Sequence, residues 1–461
     1  MNKNIKASSW YLIGNLFDKA IAFLTIPIFT RMLTTTEYGI VNTYISYVTI
    51  LTIVLGLSME ASVQTAYFEF KEDMESYAST IAIGAGAFTL IFSAAVVVGI
   101  HILNIQVPWI MVGLAILQGF MTYVTNIAKM YYMMQVSYIK RVILMSVPHT
   151  LIAFLSVWGI SLCQTEKYMG RIVPYALVMT AFGVAILIGF IRKAKCKFSK
   201  TYFHYAISYS LPIIFHALSL QILAQFDKIM ITSMRSAAET GVYSLIYNVG
   251  LVSQVFTNAF DNAWLPWFQK KMYQGGQEKT VNKNAGRLMM IVAVLVAGII
   301  LVAPEVIKIL ATQEYWSGIP MVVPIILATF TMFMYTLEVH TEYCYKRTKQ
   351  IPIYTMIAAL SNLILNYIFI PKYGATAAAY TTLIAYIVSF VLHYYAAHKC
   401  NKDVLPFQIF VFPIIVALVA SAFMQVFLNA WICRWIVAVI LGVLFLVYAY
   451  KNKLLRTMLA D

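Results

Sequence analysis

IVPYALVMTAFGVAILIGFIRKAKCKFSK, residues 172–200, is an apolar run of about 20 residues that ends in a cluster of cations. A helix of that length crosses the hydrocarbon of a bilayer about 30 Å thick. The cations at its end are Arg192, Lys193, Lys195, Lys197 and Lys200. Lys and Arg accumulate in short cytoplasmic loops, so this end of the crossing reads as the inner one. The same pattern repeats in both directions along the chain. Apolar spans are expected at 10–32, 40–63, 81–103, 108–130, 142–162, 172–191 and 208–232. They continue at 242–265, 288–310, 320–343, 352–370, 375–396, 407–428 and 431–449. The runs are too long and continuous for the alternating strands of a membrane barrel.

Composition agrees. The 461 residues are 61% hydrophobic and 11% charged, with a mean hydropathy of +0.78. Soluble domains lie far from these values. About 14 spans leave only short loops, with no room for a soluble catalytic domain. The formal charge of +15 follows from membrane topology rather than from a nucleic-acid partner, because its cations are dispersed over loops. With the N-terminus inside, 24 of the 33 Lys and Arg fall on the inner side and 7 on the outer. That bias predicts cytoplasmic termini and a retained first span rather than a cleaved signal peptide. The five cysteines are scattered singly, which suggests neither a zinc site nor a disulfide framework.

A parallel internal repeat is suggested by two outer connections. Glu37-Tyr38-Gly39 opens the second span and Glu239-Thr240-Gly241 opens the eighth, and the helices before them carry Phe17-Asp18-Lys19 and Phe226-Asp227-Lys228. An offset of six helices relates two lobes by an axis along the membrane normal. The basic, aromatic loop 192–209 is the expected boundary. The expected organisation is a lobe over residues 1–200, a second over 201–400, and two further helices over 401–461. Membrane lipids are expected partners of the basic loop.

Charges within the spans are costly and are therefore candidates for function. They are Asp18 and Lys19, Glu60, Asp227 and Lys228, Asp261, and Glu338. The functional reading is a polar cavity between lobes, where cations meet an anionic substrate and acids couple to H⁺ or Na⁺. The alternative is structural ion pairing between packed helices. His216 and His340 are relay candidates. In LEVHTEY (residues 337–343), Glu338 and Glu342 share one helix face while His340 points away, which argues against a metal site. No nucleotide-binding, serine-hydrolase or zinc-protease motif is present, so the chain is expected not to be an enzyme and to need no cofactor beyond a coupling ion.

Three stretches carry a family resemblance. GNLFDKAIAFLTIPIFTRMLTTTEYGIVNTY (14–44) is a polar first helix ending in Thr-Arg and followed by Glu-Tyr-Gly. YSLPIIFHALSLQILAQFDKIMI (209–231) has an early Pro and a late acid–base pair. LILNYIFIPKYGATAAAYTTLIAY (363–386) has an Asn-bearing helix, a Pro-x-x-Gly turn and a small-residue helix. With these the chain resembles the polysaccharide transport branch of the multidrug/oligosaccharidyl-lipid/polysaccharide exporter superfamily, the O-antigen and capsule repeat-unit flippases. The resemblance implies an all-α polytopic fold of two six-helix lobes plus two C-terminal helices. It implies alternating access in a bacterial plasma membrane, with an undecaprenyl-diphosphate-linked oligosaccharide as substrate. Polysaccharide polymerase and glycosyltransferases would be its partners. Substrate contacts carry over to Lys19, Arg31, Lys228 and Arg235, and coupling or gating to Asp18, Glu60, Asp227, Asp261 and Glu338. A cation-coupled multidrug exporter and a peptidoglycan-precursor flippase share this architecture. A membrane enzyme or assembly scaffold is the reading from another class.

Overall fold

A computed structural model describes residues 3–104 and 108–451. Fourteen α-helices and no strand occur among the described residues. They are α1 (Lys3–Met32), α2 (Thr35–Gly56), α3 (Val63–Glu69), α4 (Met74–Ile102), α5 (Trp109–Met134), α6 (Tyr138–Leu162) and α7 (Met169–Lys193). The second half comprises α8 (Lys200–Met234), α9 (Ala237–Gln274), α10 (Glu278–Leu310), α11 (Val322–Cys344), α12 (Ile351–Cys400), α13 (Gln408–Val426) and α14 (Trp431–Lys451). Each expected span falls on a helix, except that the second does so only as far as Gly56. Ten described helical segments are long and apolar enough to cross a membrane. The eighth expected span is helical in α9 but more polar, because Asn248, Gln254, Asn258 and Asp261 interrupt it. Lys453 and Arg456, two of the predicted inner cations, lie outside the described residues.

Large apolar side chains on the helix surfaces are exposed, among them Leu90, Ile91, Phe154 and Leu444. In water this would be unfavourable, whereas in lipid it costs nothing. The protein is a multi-pass membrane protein.

Cα packing divides the chain into two units, Met1–Thr232 with Ser236–Thr240, and Ser233–Arg235 with Gly241–Asp461. In the first unit α2 packs on α5, α5 on α7, α6 on α7 and α1 on α6. Small residues allow these approaches, as is usual where lipid supplies no hydrophobic drive between helices. Gly159 of α6 lies against the backbone of Gly170 of α7. Gly56 lies beneath the ring of Tyr123, a buried centre of the core with Leu55, Met59, Tyr77 and Ile127.

The second expected span (40–63) does not run through as one helix. Leu57 and Ser58 adopt left-handed φ of 49° and 54° and break it after Gly56. Glu60 then sits on a short 3₁₀ turn, Met59–Ser62. The Ser62 and Tyr77 hydroxyls, 2.6 Å apart, anchor that turn to α4.

The start of α2 is held by a capping box. Thr34 Oγ1 accepts from the Glu37 amide at 3.2 Å, and Glu37 Oε2 accepts from the Thr34 amide at 3.0 Å. Glu37 Oε1 also accepts from the Lys167 amide at 2.9 Å, clipping the α6–α7 connection to α2. Glu37→Ala removes both carboxylate acceptors, those of the Thr34 and Lys167 amides, and is expected to cost about 1–2 kcal/mol. The thermal midpoint of the purified protein in detergent checks this, and an unchanged midpoint would refute the clip.

In the second unit α11 packs on α12, and α10 on α13, α14 and α11. The 50 residues of α12 are two helices joined at Gly374, whose φ of 63° and ψ of −149° suit only glycine. The halves fold back on each other. Asn362 Nδ2 donates to Thr382 Oγ1 at 3.3 Å, and the Thr381 hydroxyl donates to Asn366 Oδ1. The expected Pro-x-x-Gly turn is this fold-back.

Arg434 of α14 is fully buried. It donates to the carbonyls of Phe427 (3.0 Å) and Leu428 (3.0 Å) at the end of α13, and to Leu301 O (2.6 Å) on α10. It also forms an ion pair with Glu305. One guanidinium thus ties α14 to the open carbonyls of α13 and to α10.

Candidate polar sites within the two units

The first unit has a polar seam between α2 and α8. The Thr43 and Thr232 hydroxyls are 2.6 Å apart, and Thr232 meets Thr240 at 2.7 Å. Two turns away, Gln225 Oε1 accepts from Ser46 Oγ at 3.1 Å and from Lys228 Nζ at 3.2 Å. Lys228 is 6% exposed and Asp227 is 1% exposed. Thus the seventh span's acid–base pair is enclosed, and Lys228 is held by an amide one turn before it.

The related triplet in α1 behaves differently. Lys19 is exposed, and so is Phe17 before it. The side chain of Asp18 lies outside the described residues. Arg31, also exposed, donates to Pro27 O at 2.8 Å. Arg235, exposed at the end of α8, donates to Pro371 O at 3.4 Å. Lys19, Arg31 and Arg235 are therefore open to contact, whereas Lys228 is not.

Glu60 is partly buried on its 3₁₀ turn, and its Oε2 atom has no hydrogen-bond partner. The buried hydroxyl of Ser58 has none either. Among the described residues the carboxylate at the broken end of α2 has no cation at hydrogen-bonding distance.

The second unit brings together acids and imidazoles that lie far apart in the sequence. His340 Nε2 is 2.6 Å from Asp261 Oδ1, joining α11 to α9. On another face of α11, Glu342 Oε1 is 2.6 Å from His393 Nδ1 of α12, and both side chains are fully buried. Gln350 Nε2 donates to the other Glu342 oxygen at 3.0 Å. The LEVHTEY segment therefore sends His340 and Glu342 to different helices, as the helical spacing predicts. Among the described residues no group of three or more His, Cys, Asp or Glu is suited to a metal. Glu338 is 1% exposed. Sequence reasoning singled out Asp261, Glu338 and His340 but missed His393 and Gln225. His393 is a lone imidazole in a span, and only the fold shows the acid that it meets.

The family model described as "Polysaccharide biosynthesis protein" matches residues 5–272. The chain belongs to that family. An "Uncharacterized membrane protein" of Haemophilus influenzae is 24% identical over 378 residues, 77% of this chain and 88% of its own length. "Lsg locus putative protein 1" of the same organism is 23% identical over 276 residues, 59% and 67% of the two chains. Among solved structures, "Lipid II flippase MurJ, inward closed conformation" superposes with a TM-score of 0.72 at 14% identity, covering 95% of this chain and 98% of its own. An inward-facing multidrug resistance MATE family transporter of the MOP superfamily gives 0.58 at 14% identity, covering 83% and 96%. The family member described here thus has the MOP exporter fold, as the resemblance of its first, seventh and eleventh-to-twelfth spans implied.

Proposed function

We propose that this protein is an alternating-access flippase. It moves an undecaprenyl-diphosphate-linked oligosaccharide across a bacterial plasma membrane for surface polysaccharide assembly. What carries the reading is the conjunction of a polysaccharide-biosynthesis family match with the fold of a lipid II flippase over nearly the whole chain. In this reading both termini are cytoplasmic, and two six-helix lobes plus two C-terminal helices work as rigid bodies. The exposed cations Lys19, Arg31 and Arg235 meet the anionic headgroup, since charge-assisted bonds are the strongest available to a diphosphate. Lys228, enclosed with Asp227, presents its charge only when the α2–α8 seam loosens. Asp18, Glu60, Asp227, Asp261 and Glu338 serve coupling or gating. Polysaccharide polymerase and glycosyltransferases consume and supply the substrate.

Deleting the gene is expected to abolish surface polysaccharide and to accumulate lipid-linked oligosaccharide. Lys19→Ala and Arg31→Ala, at unchanged membrane level, each remove a charge-assisted contact worth about 1.5–3 kcal/mol, so restoration should fall about ten- to hundredfold. Full surface polysaccharide in the deletion strain, without accumulation of lipid-linked oligosaccharide, would refute the reading. Loss of resistance to cationic drugs in its place would favour the multidrug exporter.

A further inference from the structure

The surface of the second unit carries a groove with apolar walls and a charged mouth. Its floor is one stripe of α10, where Lys283, Gly286, Arg287 and Val294 recur at helical spacing. Its walls come from α13 and α14, with Phe412 and Leu444 among them. Both of these side chains are largely exposed, as suits a surface that meets hydrocarbon. The cavity between the three helices holds about 760 Å³. Gly286 keeps the floor open, since a Cβ there would meet only Ile409 Cγ2, at 3.8 Å.

The two ends of the groove differ. Arg434 pins the late part of α10 to the end of α13 and to α14, and the groove opens at the other end, where α10 and α13 begin. That mouth is positive. Lys283 is exposed, Arg287 is half-buried one turn further on, and Arg287 Nη1 donates to the neutral Asn284 Oδ1 at 3.3 Å. Among the described residues neither cation forms an ion pair. No carboxylate lines the groove. α13 has no titratable side chain, and α14 has no acid. Asp403, just before α13, reaches Asn282 through its main-chain carbonyl at 2.6 Å. The first turn of α13 starts at the same mouth with Gln408, so its helix dipole adds to the positive potential.

Depth selects the occupant. From Lys283 to Val294 the floor rises about 16 Å, and the hydrocarbon of one leaflet is about 15 Å deep. A chain crossing both leaflets would find walls for only half its length. An acyl chain of a phospholipid fits the groove with its phosphate level with the two cations. We propose that α10, α13 and α14 form a binding site for one anionic phospholipid. Its headgroup phosphate sits on Lys283 and Arg287, where charge-assisted bonds hold it, and one acyl chain fills the groove over Gly286. The lipid fastens α13 and α14 to α10 at the end that Arg434 does not reach. This site is independent of what the protein transports.

The test is native mass spectrometry of the full chain, stripped of lipid in detergent. Phosphatidylglycerol and phosphatidylcholine of identical acyl chains are the probes. The wild type should retain one phosphatidylglycerol, with a preference of about tenfold or more over phosphatidylcholine, as charge-assisted bonds require. The double variant Lys283→Ala, Arg287→Ala should lose that preference. Gly286→Leu leaves both charges and fills the groove, so it should weaken retention of both lipids. If that variant is not monodisperse, short-chain phosphatidylglycerol tests the groove on the wild type and should bind far more weakly than the long-chain lipid. Glycerol 3-phosphate should not compete. Equal retention of the two lipids by the wild type, or a preference that survives the double variant, overturns the site. Retention unchanged in Gly286→Leu, equal binding of short and long chains, or displacement by glycerol 3-phosphate overturns the role of the groove.

Discussion

Arg434→Ala is expected to be among the most destabilising single substitutions in the second unit, at about 3–5 kcal/mol. The guanidinium is fully buried and reaches three carbonyls and one carboxylate on two other segments. Truncation leaves Glu305 without its cation and the Phe427 and Leu428 carbonyls without a donor. Each buried acceptor so exposed costs about 1–3 kcal/mol. Lysine does not replace the fork, because one ammonium cannot span α10 and both carbonyls at the end of α13. Arg434→Lys should therefore recover only part of the loss. Retention of monodisperse protein after heating, followed by size-exclusion chromatography in detergent, reads both variants. An alanine variant with the wild-type midpoint would show that the network contributes nothing net.

Substitution at Gly159 or Gly170 is the second large effect. A Cβ at Gly159 would lie 2.4 Å from the Gly170 carbonyl oxygen, and a Cβ at Gly170 would lie 2.6 Å from the Gly159 backbone. Neither neighbour is a movable side chain, so α6 and α7 must separate. Overpacking typically costs about 1–3 kcal/mol, and contact with backbone places Gly170→Val at the upper end of that range. Gly189 of the same helix supplies the control, since its Cβ would meet nothing within 4 Å. Gly189→Ala should be neutral or stabilising by up to about 1 kcal/mol. Equal thermal midpoints for Gly170→Val and Gly189→Ala would refute the close-packing argument.

The architecture was legible because it follows from the solvent. Long apolar runs sufficed to place the expected spans on helices, the second only as far as Gly56. What stayed hidden depends on contacts between segments distant in sequence. Leu57-Ser58 carries no Gly or Pro to announce the break in α2. The break goes with Gly56 packed beneath Tyr123 and Ser62 bonded to Tyr77. The two FDK triplets look alike, yet Lys19 is exposed and Lys228 is enclosed, because only α8 supplies Gln225 to meet the amine. Arg434 reads as an ordinary outer loop cation until α10 and α13 close around it. The turn at Gly374 was expected, but that it brings His393 to Glu342 was not, because no periodicity reveals which residues of two helices meet.

That reversal also acts as a ruler. Unbent, the 50 residues of α12 would extend about 75 Å, more than twice the hydrocarbon thickness of about 30 Å. The polypeptide re-enters the same leaflet pair only because one position tolerates a dihedral that side-chain-bearing amino acids avoid. Any missense change at that codon places a Cβ there. The lesion would surface during biogenesis, as failure of the two halves to insert as a hairpin, before any question of activity arose.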